Sequence, residues 1–253
     1  MPDLPGIIMV LEGTSDVRVI RGFAERALLE QDSDFDANLF SWRGLDDNTE
    51  FVQWLNVSKM MLERKISRRY GHFEGEISGD AGKIYAHQAR NALRLCHAIG
   101  LPLAVILVCD ADSQPQRLEG LEQARKDHQI FAEPDYPIVV GIADPCREAW
   151  VLCGFEAQGH EQKKLIDLTR ELNFDPTRAP HKLTTAERPH NAKRVLKLLT
   201  DKIDLEREEL CWKETRYQWF LDYGTECGLT AYLEEVQEHL PVLQGKQKGN
   251  LNV

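Results

Sequence analysis

Four acids in this chain stand where a hard divalent cation could be held. Glu12 follows the apolar run GIIMVL, Asp16 lies a few residues on in EGTSD, and Asp110 and Asp112 close the run LAVILVC. Mg2+ and Mn2+ prefer carboxylate oxygens. Two acids at i and i+2 share one face within a strand, and after a strand they can converge where the chain turns out of the sheet. Crowded carboxylates repel one another unless a cation neutralises them. If the two apolar runs are neighbouring strands, the set therefore implies a metal. A lone DxD is a common surface turn. What singles this one out is its place after a buried strand, beside a second strand that also ends in acids.

The elements that must position these acids can be read from periodicity. Residues 6–11 form a β-branched apolar run, and 16–30 then carry Val17, Ile20, Phe23, Ala24, Ala27 and Leu28 at helical spacing. Thr14 or Ser15 is the expected cap of that helix, with Asp16 in its first turn. A short strand is expected at 38–42, one helix over 48–69, a Gly-rich stretch at 71–82, and a helix over 83–99 stopped by Gly100-Leu101-Pro102. Strand 103–109, helix 116–128 and strand 137–142 follow, and Asp144-Pro145 opens a helix carrying Arg147 and Glu148. Nearly all-apolar strands alternating with helices predict a parallel sheet of about four strands covered on both faces. Ligands in such sheets sit beyond the strands' carboxyl ends, where these acids fall. Helices are expected at 163–172, 191–202, 206–223 and 229–240, and a frayed polar tail at 245–253. The expected organisation is thus an α/β domain over 1–155 with a helical insertion at about 45–100, then a helical subdomain over 156–244.

Composition narrows the function classes. The chain has 253 residues, is 42% hydrophobic and carries a formal net charge of −10. Non-specific affinity for nucleic acid comes from clustered Lys and Arg, so an acidic chain is a poor general polyanion binder. No apolar run approaches the roughly 18–20 residues of a membrane span, and the N-terminus lacks the basic start of a secretory signal. A cytoplasmic protein with no membrane partner is expected. The six cysteines form no CxxC pair and read as reduced, half-buried thiols.

The pattern VLEGTSD, then an apolar strand ending in DAD, then IADPCREAW, resembles the Toprim domain of primases, topoisomerases and OLD-family nucleases, and is similar to small stand-alone Toprim-like proteins. That resemblance implies a Toprim-like, Rossmann-like fold and metal-dependent phosphodiester chemistry with Mg2+ or Mn2+ on DNA or RNA. It makes Glu12 a metal ligand or general acid/base, Asp110 and Asp112 the metal-binding pair, Asp16 the helix-start acid, and Glu148 an additional acid. Some relatives of this kind work in bacterial anti-phage defence beside an ABC-type ATPase, which makes such an ATPase the implied partner; a homo-oligomer is also open. The long segment between the second and third expected strands departs from smaller Toprim domains. Two cations about 3.5–4 Å apart can serve an in-line displacement at phosphorus. In that chemistry Lys83, after Gly79-Asp80-Ala81-Gly82, neutralises a phosphate oxygen, or else it is a solvated lysine at a helix start.

Arg64, Lys65, Arg68 and Arg69 crowd one stretch, read either as a phosphate-facing patch or as a solvated helix face. GDAGK is not a P-loop, because position 77 is Ile77 and Ile84 follows the lysine. A dehalogenase-type phosphatase would place its DxD after the first strand, and a DxD glycosyltransferase leaves EGTSD unexplained. The main competitor is a non-catalytic Toprim-like assembly or sensing subunit.

Overall fold

The computed structural model describes residues 6–46, 49–68, 79–99, 102–132, 136–186, 188–200 and 205–240. Arg69, most of the Gly-rich stretch, the Gly100-Leu101 helix stop and the tail lie outside the described residues.

The sheet is built on β1 (Gly6–Leu11), which pairs in parallel with β4 (Ala104–Asp110) on one side, and β4 pairs in parallel with β5 (Ile138–Ala143). On its other side β1 is shared. β2 (Ser41–Arg43) takes its first half, Gly6 to Ile8, and β3 (Val52–Gln53) takes Val10 and Leu11. All described pairings are parallel, and β1, β4 and β5 are buried almost throughout. Period-two alternation sorts their side chains into two layers. Ile7, Met9, Leu11, Ile106 and Val108 join one core, while Ile8, Val10, Val105, Leu107 and Cys109 join the other.

The first core is closed by α1 (Thr14–Gln31), α5 (Arg147–Cys153), and the C-terminal helices α8 (Leu205–Lys213), α9 (Tyr217–Tyr223) and α10 (Leu229–His239). Phe23 of α1 meets Trp150, Trp212 and Phe220 ring to ring. Tyr232 stacks on Trp150 and donates its hydroxyl to the Ile20 carbonyl at 3.0 Å. Residues after 155 are helical, with α6 (Glu161–Leu172) and α7 (Ala192–Leu199) completing the set, but α8, α9 and α10 share the sheet's core. The second core lies under α3 (Gly79–Ile99) and α4 (Gln116–Ala132), which pack closely enough that a Cβ on Gly120 would stand 2.2 Å from the Gly82 carbonyl oxygen.

Two expected helices are corrected. The span 48–69 is not one helix: Val52 and Gln53 pair with β1, a 3-10 turn follows at Trp54–Asn56, and α2 covers only Val57–Glu63. β2 ends at Arg43 and leaves the upper edge of β1 without partners for its backbone groups. Satisfying that edge outweighs helix propensity here. Trp54 locks the turn by donating its indole N–H to the Val108 carbonyl at 2.9 Å. The span 206–223 divides into α8 and α9, joined at Thr215, whose hydroxyl donates to the Gly154 carbonyl at 2.6 Å. The break lets Trp212 and Phe220 both reach Phe23. Among the described residues, no helix is long and apolar enough to cross a membrane. All six cysteines are free and buried.

Candidate functional site

The carboxyl ends of β1 and β4 lie side by side, so the acids that follow them meet. Asp110, the last residue of β4, is the hub. Its backbone N–H donates to Glu12 Oε1 at 3.3 Å, and its Oδ1 accepts from the Arg147 backbone N–H at 2.9 Å. After it the chain leaves the sheet. Asp112 and Ser113 both take left-handed backbone angles (φ 47° and 62°), and the Asp112 N–H donates to the Pro145 carbonyl at 3.0 Å. Such angles are uncommon outside glycine, with Asp among the more tolerant residues. The turn carries Asp112 out of the sheet and beside Arg117.

Asp16 is held from the other strand end. The N-cap of α1 is Gly13, with Thr14 already helical, so the expected Thr14 or Ser15 cap is corrected. With no side chain available at Gly13, Asp16 caps from inside the helix: its Oδ2 accepts the Gly13 N–H at 2.8 Å. That bond satisfies one orphan donor of the helix start and fixes the carboxylate at its positive end.

Two arginines lie among these acids. Arg147, at the start of α5, places Nε 3.4 Å from Asp16 Oδ1, one terminal nitrogen 3.1 Å from Glu148 Oε1, and the other 3.3 Å from Glu208 Oε2. Arg117, in the first turn of α4, donates from Nη1 to Asp112 Oδ2 at 2.8 Å and to the Asp110 carbonyl at 2.7 Å, and lies 3.8 Å from Glu12 Oε1. Its guanidinium sits 4.7 Å from the centroid of the Tyr85 ring, a cation–π contact. The Tyr85 hydroxyl in turn donates to Glu12 Oε1 at 3.3 Å, and Gln53 Nε2 donates to the Glu12 carbonyl at 3.0 Å.

The electrostatics follow from burial and crowding. Burial raises the Asp110 carboxyl, and Glu12, Asp16 and Glu148 add to it, so that it titrates at about 8. Burial also raises Glu12, with Asp112 and Asp16 adding and the Asp110 N–H opposing. Asp16 is raised by burial, against the Gly13 N–H and Arg147. Burial first, and then the neighbouring Cys109 and Glu12, keeps the Tyr85 phenol protonated.

Glu12, Asp16, Asp110, Asp112 and Glu148 are therefore brought together. Lys83 lies exposed on α3 and, among the described residues, joins no ion pair with these acids. Arg64 pairs with Asp46, Lys65 is exposed with a left-handed backbone, and Arg68 reaches the Ser58 carbonyl at 3.1 Å. These contacts stay within the inserted segment. Arg117, Arg147, Tyr85, Gln53 and Glu208 complete the site without having been singled out. Arg117 carried one weak signal, its place in the first turn of the helix after DAD.

A divalent cation can be tested against this donor set. The donors are carboxylate oxygens, the crowding at Asp110 is a charge excess that a cation would relieve, and Glu148 Oε2 is buried with no hydrogen-bond partner. The donor chemistry fits. The side chains themselves are arranged as ion pairs with Arg117 and Arg147, and among the described residues no three His, Cys, Asp or Glu groups converge as a metal-ligand set. No protein-family model, curated protein or solved structure matches this chain.

Proposed function

We propose that this site hydrolyses phosphodiester bonds in nucleic acid with the help of Mg2+ or Mn2+. The observation that supports it most is the gathering of Glu12, Asp16 and Asp110 at the ends of two adjacent parallel strands, where burial first and then the neighbouring carboxylates push the Asp110 carboxyl up to about 8. Maintaining buried carboxylates in one place costs stability and is characteristic of sites that use charge. Glu12, Asp110 and Asp112 would hold the cation, with Asp16 and Glu148 behind them. When bound, the cation supplies Lewis acidity and charge neutralisation at a phosphate.

The chain's own residues then have distinct roles. Arg117, kept in place by the Asp110 carbonyl and the Tyr85 ring, presents guanidinium donors beside the acids, where a phosphoryl oxygen would develop charge. Tyr85, protonated near neutrality, orients Glu12 through its hydroxyl. Arg147 fixes Asp110 through its backbone N–H and Asp16 through its side chain. With a net charge of −10, the chain on its own grips a polyanion weakly, so a basic or ATPase partner that delivers the strand belongs to the same proposal.

One observation favours a second reading. Arg117 and Arg147 already act as internal counter-cations to Glu12, Asp16, Asp112 and Glu148, as a non-catalytic Toprim-like assembly or sensing module would require. The test is cleavage of plasmid DNA, single-stranded DNA and total RNA with Mg2+ or Mn2+. Wild type, Glu12→Gln and Asp110→Asn are compared, with and without EDTA. Cleavage reduced about a hundredfold or more in both variants, and abolished by EDTA, supports the enzyme. No cleavage of any substrate leaves the second reading standing.

A further inference from the structure

The two arginines among the acids are held differently. Arg147 is enclosed, because its partners Glu148 and Glu208 are each only 5% exposed at the side chain. The carboxylates facing Arg117 are open to solvent: Asp112 is 38% exposed and Glu12 33%. A ligand arriving from solvent therefore meets Arg117 and not Arg147.

Arg117 Nη1 donates to Asp112 Oδ2 at 2.8 Å and lies 3.8 Å from Glu12 Oε1. Those carboxylates belong to two of the residues that would hold a cation, and a charge of the chain's own already neutralises them. A guanidinium and a divalent cation beside the same carboxylates repel each other and compete for the same acceptors. The helix gives Arg117 no support there. It lies in the first turn of α4, where the dipole disfavours a positive charge, so the acids, the Tyr85 ring and the Asp110 carbonyl hold it in place. A phosphodiester alters this balance, because its oxygens accept a guanidinium in bidentate fashion.

We propose, on the reading of Glu12, Asp110 and Asp112 as cation ligands, that Arg117 gates the site: it keeps Glu12 and Asp112 from a divalent cation until a substrate phosphodiester draws its guanidinium off them. The Asp110 carbonyl and the Tyr85 ring, both neutral, keep the released guanidinium within reach. Cation and phosphodiester then bind cooperatively, each raising the affinity of the other by the same factor.

The test is Mn2+ binding by the full chain, followed by electron paramagnetic resonance with and without dimethyl phosphate. That probe is a phosphodiester with slight affinity of its own for Mn2+, and chloride replaces it at equal ionic strength in the controls. Wild type is compared with Arg117→Gln and with Lys126→Gln, which removes the same charge from an exposed position further along α4. Circular dichroism checks that each is folded. Arg117→Gln is expected to bind Mn2+ about tenfold more tightly than wild type, and Lys126→Gln like wild type. Dimethyl phosphate should tighten Mn2+ binding by wild type about fivefold or more and leave Arg117→Gln unchanged. Equal or weaker Mn2+ binding by folded Arg117→Gln, or the same response to dimethyl phosphate in both proteins, overturns the gate and leaves the cation reading standing. Absence of Mn2+ binding by wild type and Arg117→Gln alike overturns both. The dimethyl phosphate response of wild type needs no variant, and its absence overturns the gate even if Arg117→Gln does not fold.

Discussion

At the scale of single residues, Asp110 carries the most consequence. Its carboxyl titrates at about 8, against an ordinary Asp near 3.8. The folded protein therefore holds a proton there that the unfolded chain has already released. Such a raised carboxyl favours folding only below the unfolded value, and stability falls as pH rises from about 4 towards 8. In EDTA, wild type is expected to lose thermal stability across that window relative to Asp110→Asn, measured as the difference in Tm between the two proteins at each pH. A parallel pH dependence in both would show that Asp110 is ionised in the fold. The same proton competes with any cation, so metal affinity should rise with pH up to about 8. These residues were legible because their type and spacing are unusual after buried strands. Arg117 and Tyr85 were not, since a lone Arg or Tyr on a helix has no distinguishing pattern until the fold brings it to Glu12.

At the scale of elements, the sheet was readable and its edge was not. β1, β4 and β5 are continuous apolar runs whose every residue is buried or nearly so, and that composition is itself the signal of a parallel strand with two covered faces. β3 has only two residues, and its existence depends on the exposed upper edge of β1, a fact of the assembled sheet and not of local sequence. The break between α8 and α9 is similar: Trp212, Trp219 and Tyr223 recur at helical spacing, yet the ring of Phe23 is reached only if the helix bends at Thr215. The contact between α3 and α4 is set by Gly120, whose bare Cα admits the Gly82 carbonyl. Gly120→Ala is expected to force the helices apart and lower stability by about 1–3 kcal/mol, read from the urea midpoint. No change would mean that the α3–α4 contact is looser than the geometry requires.

At the scale of the whole molecule, the C-terminal helices belong to the domain that builds the site. α10 packs on β5 and α1, the Trp150 indole donates to the Cys227 carbonyl at 2.8 Å, and Tyr232 fills the space between Trp150 and Ile20. Helical periodicity after residue 155 reads as a helical subdomain, and it reports which face of each helix is apolar but not what that face covers. A chain ending at residue 200 should therefore leave α1 and β5 uncovered and lose the cooperative thermal transition of the full chain, followed by circular dichroism. A truncated chain that melts cooperatively at an unchanged temperature would mean that residues 1–200 hold a core of their own.

Glu12, Asp110 and Asp112 are proposed to form a divalent-cation site, and Mn2+ binding tests this without assuming any substrate. Free Mn2+ would be followed by electron paramagnetic resonance at pH 8 in titrations of wild type, Glu12→Gln and Asp110→Asn, with circular dichroism confirming that each variant is folded. Saturable binding by wild type at millimolar or lower Mn2+ is expected, with binding at least about tenfold weaker in both folded variants. Absence of binding by wild type, or equal binding by all three proteins, would contradict it and leave the acids as an ion-paired network around Arg117 and Arg147.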